Sequence, residues 1–560
     1  MKNEQRQINT MYSNKENVNI LTALLVAHGI RDIVVCPGSR NAPLVHNFNE
    51  CGDIRCHAVT DERSAGFIAL GLRLQQQSPV AVCVTSGSAL LNVLPAAAEA
   101  TYQHTGIIVI SADRPGAWID QLDGQTLPQQ EALGRFVAES VTLPEPHDDT
   151  ERWHCNRLVN EALLANKQMN HPSVHINVPI SEPLFEFAVA TLPSERVVSS
   201  IDSKEPDADK SILQLLEEST RPMIVLGQMD KYTAMMAGEL REKLTVLSEP
   251  LSSDEHVLTD QILYVLASER NADDYKPDCV IYLGGHTVSK RLRQYLRACS
   301  EARHVMVTED YRLHDVSQHT SVLIYGRDID VIKTIAEGYT DTEASKAYRR
   351  QWEMLQEKVK QQHYAYEPEY SQMLAVREFE KHMQEEKAHI YYANSMSVRL
   401  ACIYADHYCY CNRGLNGIEG SLSVAVGASL ARKEEKVYCV IGDLSFLYDQ
   451  NALWQQQTGG NLRILLLNNS QGGIFRNLRG LDKSTARDTL VSARHNVDSV
   501  EGTCRQYGVT YLRATDAETL AEGLQKLCGM ESRCPVLLEV KTDVDKDEQV
   551  FKSYYHKFRI

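Results

Sequence analysis

The chain has 560 residues, 43% of them hydrophobic, with 58 Lys and Arg against 74 Asp and Glu for a formal net charge of −16. That is the profile of a soluble globular protein with ample core, and the length predicts roughly three to four domains. The acidic balance argues against nucleic acid, which is bound by clustered cations, but leaves small anions open, because a few arginines in one cleft can outweigh a distant acidic surface.

The N-terminal stretch MKNEQRQINTMYSNKENVN has no apolar signal core, and no run approaches the ~20 apolar residues of a membrane span. Fourteen cysteines are scattered without a CxxC pair. Cys409 and Cys411 do not have a usual zinc spacing. The thiols therefore read as reduced, and the expected compartment is the cytoplasm.

In chain order, Asp32–Cys36, Val80–Thr85, Gly106–Ser111 and Ser173–Val178 are short apolar runs that predict strands. Helical stretches Ser64–Leu74 and Ala89–Ala100 separate them. A polar Pro/Ser-rich segment at 190–215 reads as a linker. Further strands are predicted at Pro222–Gly227, Cys279–Gly284, His304–Val307 and Ser321–Tyr325. Residues 340–372 are charged and helical in pattern and read as a second connector. A third alternating segment has strands at Ala388–Ala393, Val437–Ile441, Arg463–Leu467 and Val536–Val540. The final residues read as a charged tail with some aromatic content. Short apolar strands alternating with helices imply parallel sheets covered on both faces. The predicted fold is α/β, with three doubly wound parallel-sheet domains at 1–190, 191–372 and 373–560.

Two strand ends carry chemistry. The strand in KVYCVIGD ends at Gly442-Asp443, and ILLLNN ends at Asn469, 26 positions after Asp443. One helix fits between them, so a right-handed crossover makes the strands neighbours. Open parallel sheets present ligands beyond their carboxyl ends. An Asp carboxylate and an Asn amide oxygen there are hard ligands suited to Mg²⁺ with phosphate oxygens, and Gly472-Gly473 lets backbone approach a diphosphate. Alone, Asp443 reads more readily as a helix cap and Asn469 as a turn residue; the shared context favours the ligand reading.

This pair resembles the signature of the thiamine-diphosphate-dependent enzymes. The resemblance implies thiamine diphosphate held through Mg²⁺ (or Mn²⁺) by Asp443, Asn469 and the carbonyl of Gln471, with Gly442, Leu444, Ser445 and Ile474 beside the cofactor. Leu444 and Gln471 replace residues that are often glycine in the family. Thr60-Asp61-Glu62-Arg63 before SAGF matches the family's glutamate motif. Glu62 is then the acid that activates the aminopyrimidine, expected to be buried and so raised in pKa. An acid in a first helical turn also has a plain reading as a dipole partner. NRGLNGIEG resembles the segment that props the thiazolium ring, which makes Ile418 the prop; an ordinary core isoleucine remains an equal reading.

Cations near predicted strand ends are the clue to substrate. Ser39-Arg40 follows Pro-Gly, Arg114 lies in SADRP, Lys290 and Arg291 follow Leu-Gly-Gly, Arg399 is one helical turn after Ser395, and Arg413 lies in the glycine-rich turn. One such Arg usually forms a surface ion pair worth ~0–1 kcal/mol. Several together favour a substrate with more than one carboxylate. PGSRNAPL, DERSAGF, VTSGSALLN, NSMSVRL, GDLSFLYDQNAL and NNSQGGIF resemble the branch of the family that serves menaquinone biosynthesis. That resemblance implies decarboxylation of 2-oxoglutarate and conjugate addition of the succinyl carbanion to isochorismate. Ser39, Arg40, Arg114, Gln125, Lys290, Ser395, Arg399 and Arg413 match its substrate-binding positions. Arg399 and Arg413 are expected on the 2-oxoglutarate side, and Arg40, Arg114, Gln125 and Lys290 on the isochorismate side. A homodimer or homotetramer with active sites between subunits is also implied. The competing reading is another 2-oxoacid decarboxylase or an acetohydroxyacid synthase-like carboligase, whose smaller substrates need fewer cations. The middle segment lacks G-x-G-x-x-G, against a dinucleotide there. A non-catalytic relative would be expected to have lost Glu62 or the metal pair.

Overall fold

A computed structural model describes residues 11–198 and 208–558, apart from 77, 311, 385, 455–456 and 478–479. The predicted linker at 190–215 thus falls partly outside the described residues. The chain forms two compact units: Met1–Asp202 with Leu422–Arg432 and Asp449–Thr458, and Ser203–Ser421 with Lys433–Tyr448 and Gly459–Ile560.

The first unit is built on a six-stranded sheet. In spatial order its strands are Arg55–Ala58, Asp32–Val35, Val80–Val84, Ile108–Asp113, Val174–Pro179 and Glu139–Thr142, all parallel. Asp32–Val35, Val80–Val84 and Ile108–Asp113 are buried at every position, which is why they read as unbroken apolar runs. Tyr12–Ser13 and Phe187–Val189 add a small antiparallel pair.

The second unit holds two five-stranded parallel sheets. One runs Thr245–Leu247, Pro222–Leu226, Cys279–Leu283, Arg303–Thr308, Thr320–Tyr325. The other runs Ala388–Tyr392, Lys436–Gly442, Leu462–Asn468, Val536–Lys541, Thr510–Ala514. Each predicted segment therefore has its own parallel sheet, but the second and third share one unit and one core. The expected connector is part of that core. It is the helix Glu343–Tyr364, which buries Tyr348, Trp352, Leu355 and Val359. Those positions recur at helical spacing, and they cluster with Val280 of the central sheet and Tyr438 of the last.

The expected charged tail is likewise a packed helix, Val544–His556. Tyr554 and Phe558 are buried, and the Tyr554 hydroxyl bonds His363 Nδ1 at 2.9 Å. Its aromatics fall on one face between the charges, so the segment is amphipathic. Among the described residues no disulfide forms, and no helix is long and apolar enough to cross a membrane.

The helix Glu62–Gln76 begins at the proposed activating acid, and its fit depends on two glycines. A Cβ on Gly71 would lie 2.1 Å from the Val424 carbonyl oxygen, and one on Gly427 would lie 2.2 Å from that of Ile68. The helices Glu62–Gln76 and Ser421–Ala431 therefore touch backbone to backbone. Gly71→Ala should overpack this contact and cost about 1–3 kcal/mol, read in a thermal melt as a fall of several degrees; an unchanged melting temperature would refute the packing argument.

Candidate active site

The first unit carries the glutamate and one group of cations. Asp61, not Glu62, caps the helix, accepting the amides of Arg63 at 2.9 Å and Ser64 at 3.1 Å on Oδ1. Asn451 Nδ2 reaches its other oxygen at 2.9 Å. With the cap supplied by its neighbour, Glu62 is left for another role. Its Oε2 accepts an exposed bond from Asn92 Nδ2 at 3.2 Å. The expected burial is not met within this chain, where Glu62 is part-exposed. The reason is its place at the helix start, with the buried run beginning only at Ser64. Close by, burial pushes the Cys36 thiol well up, and the Glu62 charge adds to it.

Arg40 and Arg114 are both held in place by carbonyls and acids. Arg40 donates to the Ile180 carbonyl at 2.8 Å and pairs with Glu182 at 3.1 Å. Arg114 donates to Ser86 Oγ at 3.0 Å and to the Gln125 carbonyl at 3.2 Å, and pairs with Asp123 at 2.6 Å. Both cations act on buried Asp113, whose carboxyl is raised by burial and partly offset by Asn177, the Arg114 amide and these charges. Gln125 has φ +63° and lies over Gly87, where a Cβ would meet Gln125 backbone at 3.1 Å. Arg40, Arg114 and Gln125 are thus gathered near the carboxyl ends of neighbouring strands, with Ser39 exposed beside Arg40.

The second unit carries the metal-site candidates. Strands Lys436–Gly442 and Leu462–Asn468 are parallel neighbours in register Gly442 to Leu467, as the spacing predicts. Asp443 and Asn469 are both buried. Asp443 accepts the Leu444 amide on Oδ1 and the Ser470 amide on Oδ2, each at 2.7 Å. His495 Nε2 lies 3.2 Å from Oδ2. Asn469 donates its Nδ2 to Asp547 at 2.9 Å, which turns the amide so that its Oδ1 is the free end for a ligand. Among the described residues that oxygen receives only a long 3.4 Å bond from the Gln471 amide. A Cβ on Gly442 would meet nothing within 4 Å, so there is open space beside the carboxylate. Buried, preoriented hard oxygens next to unfilled space fit a divalent cation and a diphosphate. Gly472 is required, because a Cβ there would sit 2.8 Å from the Phe475 ring. Ile474 follows in the turn of helix Gly473–Asn477.

The thiazolium-prop candidate is joined to this site. Ser445 Oγ donates to the Ile418 carbonyl, and the Ile418 side chain is 40% exposed, not an ordinary core residue. Asn394 braces the same turn, donating Nδ2 to the carbonyls of Asn412 and Gly417 at 2.5 and 2.8 Å. Its Oδ1 accepts Arg413 Nη1 at 3.0 Å. Ser395, at φ +73°, starts the helix Met396–Tyr404 that carries part-buried Arg399. Lys290 is the exposed first residue of helix Lys290–Ala298, and it lies in the unit of Arg399 and Arg413, not with Arg40 and Arg114. Arg291 is committed elsewhere, pairing with Asp260 and covering the rings of Tyr264 and Tyr555. Asp547 and His495 carried no signal in the sequence, being an acid and a histidine in segments without a recognisable motif.

Two family models match the chain. A model described as "Thiamine pyrophosphate enzyme, N-terminal TPP binding domain" matches residues 16–133, which include Glu62. One described as "Thiamine pyrophosphate enzyme, C-terminal TPP binding domain" matches residues 394–540, which include Asp443 and Asn469. The fold and these matches define a thiamine pyrophosphate enzyme. The chain is 41% identical to the 2-succinyl-5-enolpyruvyl-6-hydroxy-3-cyclohexene-1-carboxylate synthase of Phocaeicola vulgatus, over 98% of this chain and 99% of that protein. It is 42% identical to the Bacteroides fragilis synthase over 98% and 100%, and 32% identical to that of Cytophaga hutchinsonii over 95% and 97%. The chain belongs to the 2-succinyl-5-enolpyruvyl-6-hydroxy-3-cyclohexene-1-carboxylate synthase family.

Asp547 accepts from Asn469 Nδ2, the Gln372 amide at 2.9 Å and Thr542 Oγ1 at 2.8 Å. Asp547→Ala should leave these three donors without their acceptor and lower unfolding stability by about 1–3 kcal/mol or more. Denaturant titration checks this, and a wild-type midpoint would show that the network carries no weight.

Proposed function

We propose that the chain decarboxylates 2-oxoglutarate and joins the remaining succinyl unit to isochorismate by conjugate addition, a step of menaquinone biosynthesis. The observation that carries this reading is the pairing of a thiamine-pyrophosphate frame with two groups of cations. Arg399 and Arg413 lie in the unit of Asp443 and Asn469, and Arg40 and Arg114 lie in the unit of Glu62. Both substrates are dianions, and guanidinium binds carboxylate in a planar fork. A carboligase of small monocarboxylic oxoacids would have no use for both groups.

When bound, thiamine diphosphate supplies the carbon nucleophile that takes up a 2-oxoacid and releases carbon dioxide. Asp443, Asn469 and the Gln471 carbonyl would hold Mg²⁺ or Mn²⁺ and, through it, the diphosphate. Asp547 orients the Asn469 amide, and Ser445 binds the Ile418 carbonyl, so that Ile418 would prop the cofactor ring. Glu62 would exchange a proton with the aminopyrimidine. Arg399 and Arg413 orient the 2-oxoglutarate carboxylates, with Ser395 beside them. Arg40, Arg114, Gln125 and Ser39 orient isochorismate. Lys290 stays on the isochorismate side in this scheme. Glu62 is part-exposed in one chain, which supports a homodimer or homotetramer in which a second copy completes its surroundings.

Glu62→Gln should keep cofactor binding and lose turnover by about 10²-fold or more; near-normal activity would sink the proton-exchange role. Asp443→Ala should weaken Mg²⁺-dependent retention of thiamine diphosphate, and an unchanged affinity would remove the proposed anchor. The reaction itself is tested by carbon dioxide release from 2-oxoglutarate with and without isochorismate. Equal turnover with pyruvate alone would favour the smaller-substrate carboligase.

A further inference from the structure

Helix Lys290–Ala298 carries a third cation, Arg293, that no motif singled out. It sits three positions after Lys290, so it occupies a neighbouring stripe of the same helix face. Its guanidinium folds back over the preceding loop and donates Nη1 to the Thr287 carbonyl at 2.9 Å. Arg413 Nη2 donates to the same carbonyl at 3.1 Å. Two guanidinium groups therefore converge on one oxygen, with Arg413 only 8% exposed. The Nε of Arg413 is also buried and has no partner among the described residues.

The negative charge at hand does not occupy these forks. Glu249 is buried and acts on both cations, but its two oxygens are bound by the amides of Val288 and Ser289 at 2.6 Å each. Asp260 is engaged by Arg291, Ser289 and Tyr555. Burial lowers the Arg293 pKa, Glu249 offsets part of that, and Arg413 and Arg399 lower it further. Like charges at low solvent exposure are costly to hold together, and a carboxylate between them would satisfy both forks.

The position says which carboxylate. Arg413 is tied through Asn394 to the Gly417 carbonyl, next to Ile418. The cation pair is thus attached to the turn that props the cofactor ring, on the side of the substrate that gives up carbon dioxide. We propose that Arg293 and Arg413 together form a carboxylate clamp for 2-oxoglutarate, with Arg293 as a specificity-determining residue. This rests on the proposed reaction and deepens it. The clamp accounts for selection of a dicarboxylic oxoacid over pyruvate by an added charge-assisted contact rather than by pocket size.

The test is steady-state kinetics of the Mg²⁺- and thiamine-diphosphate-loaded enzyme with Arg293→Met and Arg293→Lys. Arg293→Met keeps much of the packing and removes one of two like charges, so its melting temperature should equal or exceed that of wild type. Its KM for 2-oxoglutarate should rise at least threefold, and about tenfold if a full charge-assisted bond is lost. The kcat should stay within about threefold, and the KM for isochorismate should move less than that for 2-oxoglutarate. Arg293→Lys should recover part of the loss. A 2-oxoglutarate KM within threefold of wild type, or a larger effect on isochorismate, overturns the clamp. Should Arg293→Met fail to fold, the same two KM values of Arg293→Lys decide in the same way. Wild type assayed alongside separates the two ideas. If it releases no carbon dioxide from 2-oxoglutarate, the proposed reaction falls; if it does and the variant matches it, only the clamp falls.

Discussion

The 2.7 Å hydrogen bond from the Ser470 amide to Asp443 Oδ2 fastens together the ends of two adjacent parallel strands. Much of the second unit's site is arranged around it. It fixes the buried carboxylate of Asp443 and, in the same loop, places Asn469 so that Asp547 can take its amide hydrogens. Parallel neighbours end at the same level of a sheet, so two residues 26 positions apart in the chain present oxygens to one space. An antiparallel pair of the same sequences would send them to opposite edges.

The cations obey a second constraint. Arg40, Arg114 and Arg413 are held by carbonyl or side-chain oxygens, so their positions are set before any substrate arrives. Arg114 rests on Ser86 and the Gln125 carbonyl, and Arg413 rests on Asn394 and Thr287. Preoriented guanidinium forks lose less freedom on binding than mobile lysines. This reconciles a chain of net charge −16 with the dianionic substrates we propose: the local field at a few fixed cations outweighs a dispersed acidic surface.

Interior strands were legible, whereas the edge strands Glu139–Thr142 and Thr510–Ala514 were not, for one reason. Val80–Val84, Cys279–Leu283 and Leu462–Asn468 are buried along their whole length, and both faces demand apolar residues. Glu139–Thr142 and Thr510–Ala514 lie at sheet edges and are only partly buried, so their sequences carry little of that demand. The helix Val544–His556 was hidden differently. Its charges dominate the composition, while Val550, Tyr554 and Tyr555 do the packing.

By itself the sequence determined the three-segment α/β organisation, the Asp443–Asn469 pair, the Glu62 motif and the family resemblance. Those are local: short apolar runs, glycine turns and motif residues whose spacing follows from one strand or helix. Only the tertiary structure decided that Asp547 orients Asn469 and that Arg293 shares a carbonyl with Arg413. Both are contacts whose meeting depends on packing. The partners lie 78 and 126 positions apart, Asn469 with Asp547 and Thr287 with Arg413. No residue pattern along the chain encodes such a meeting.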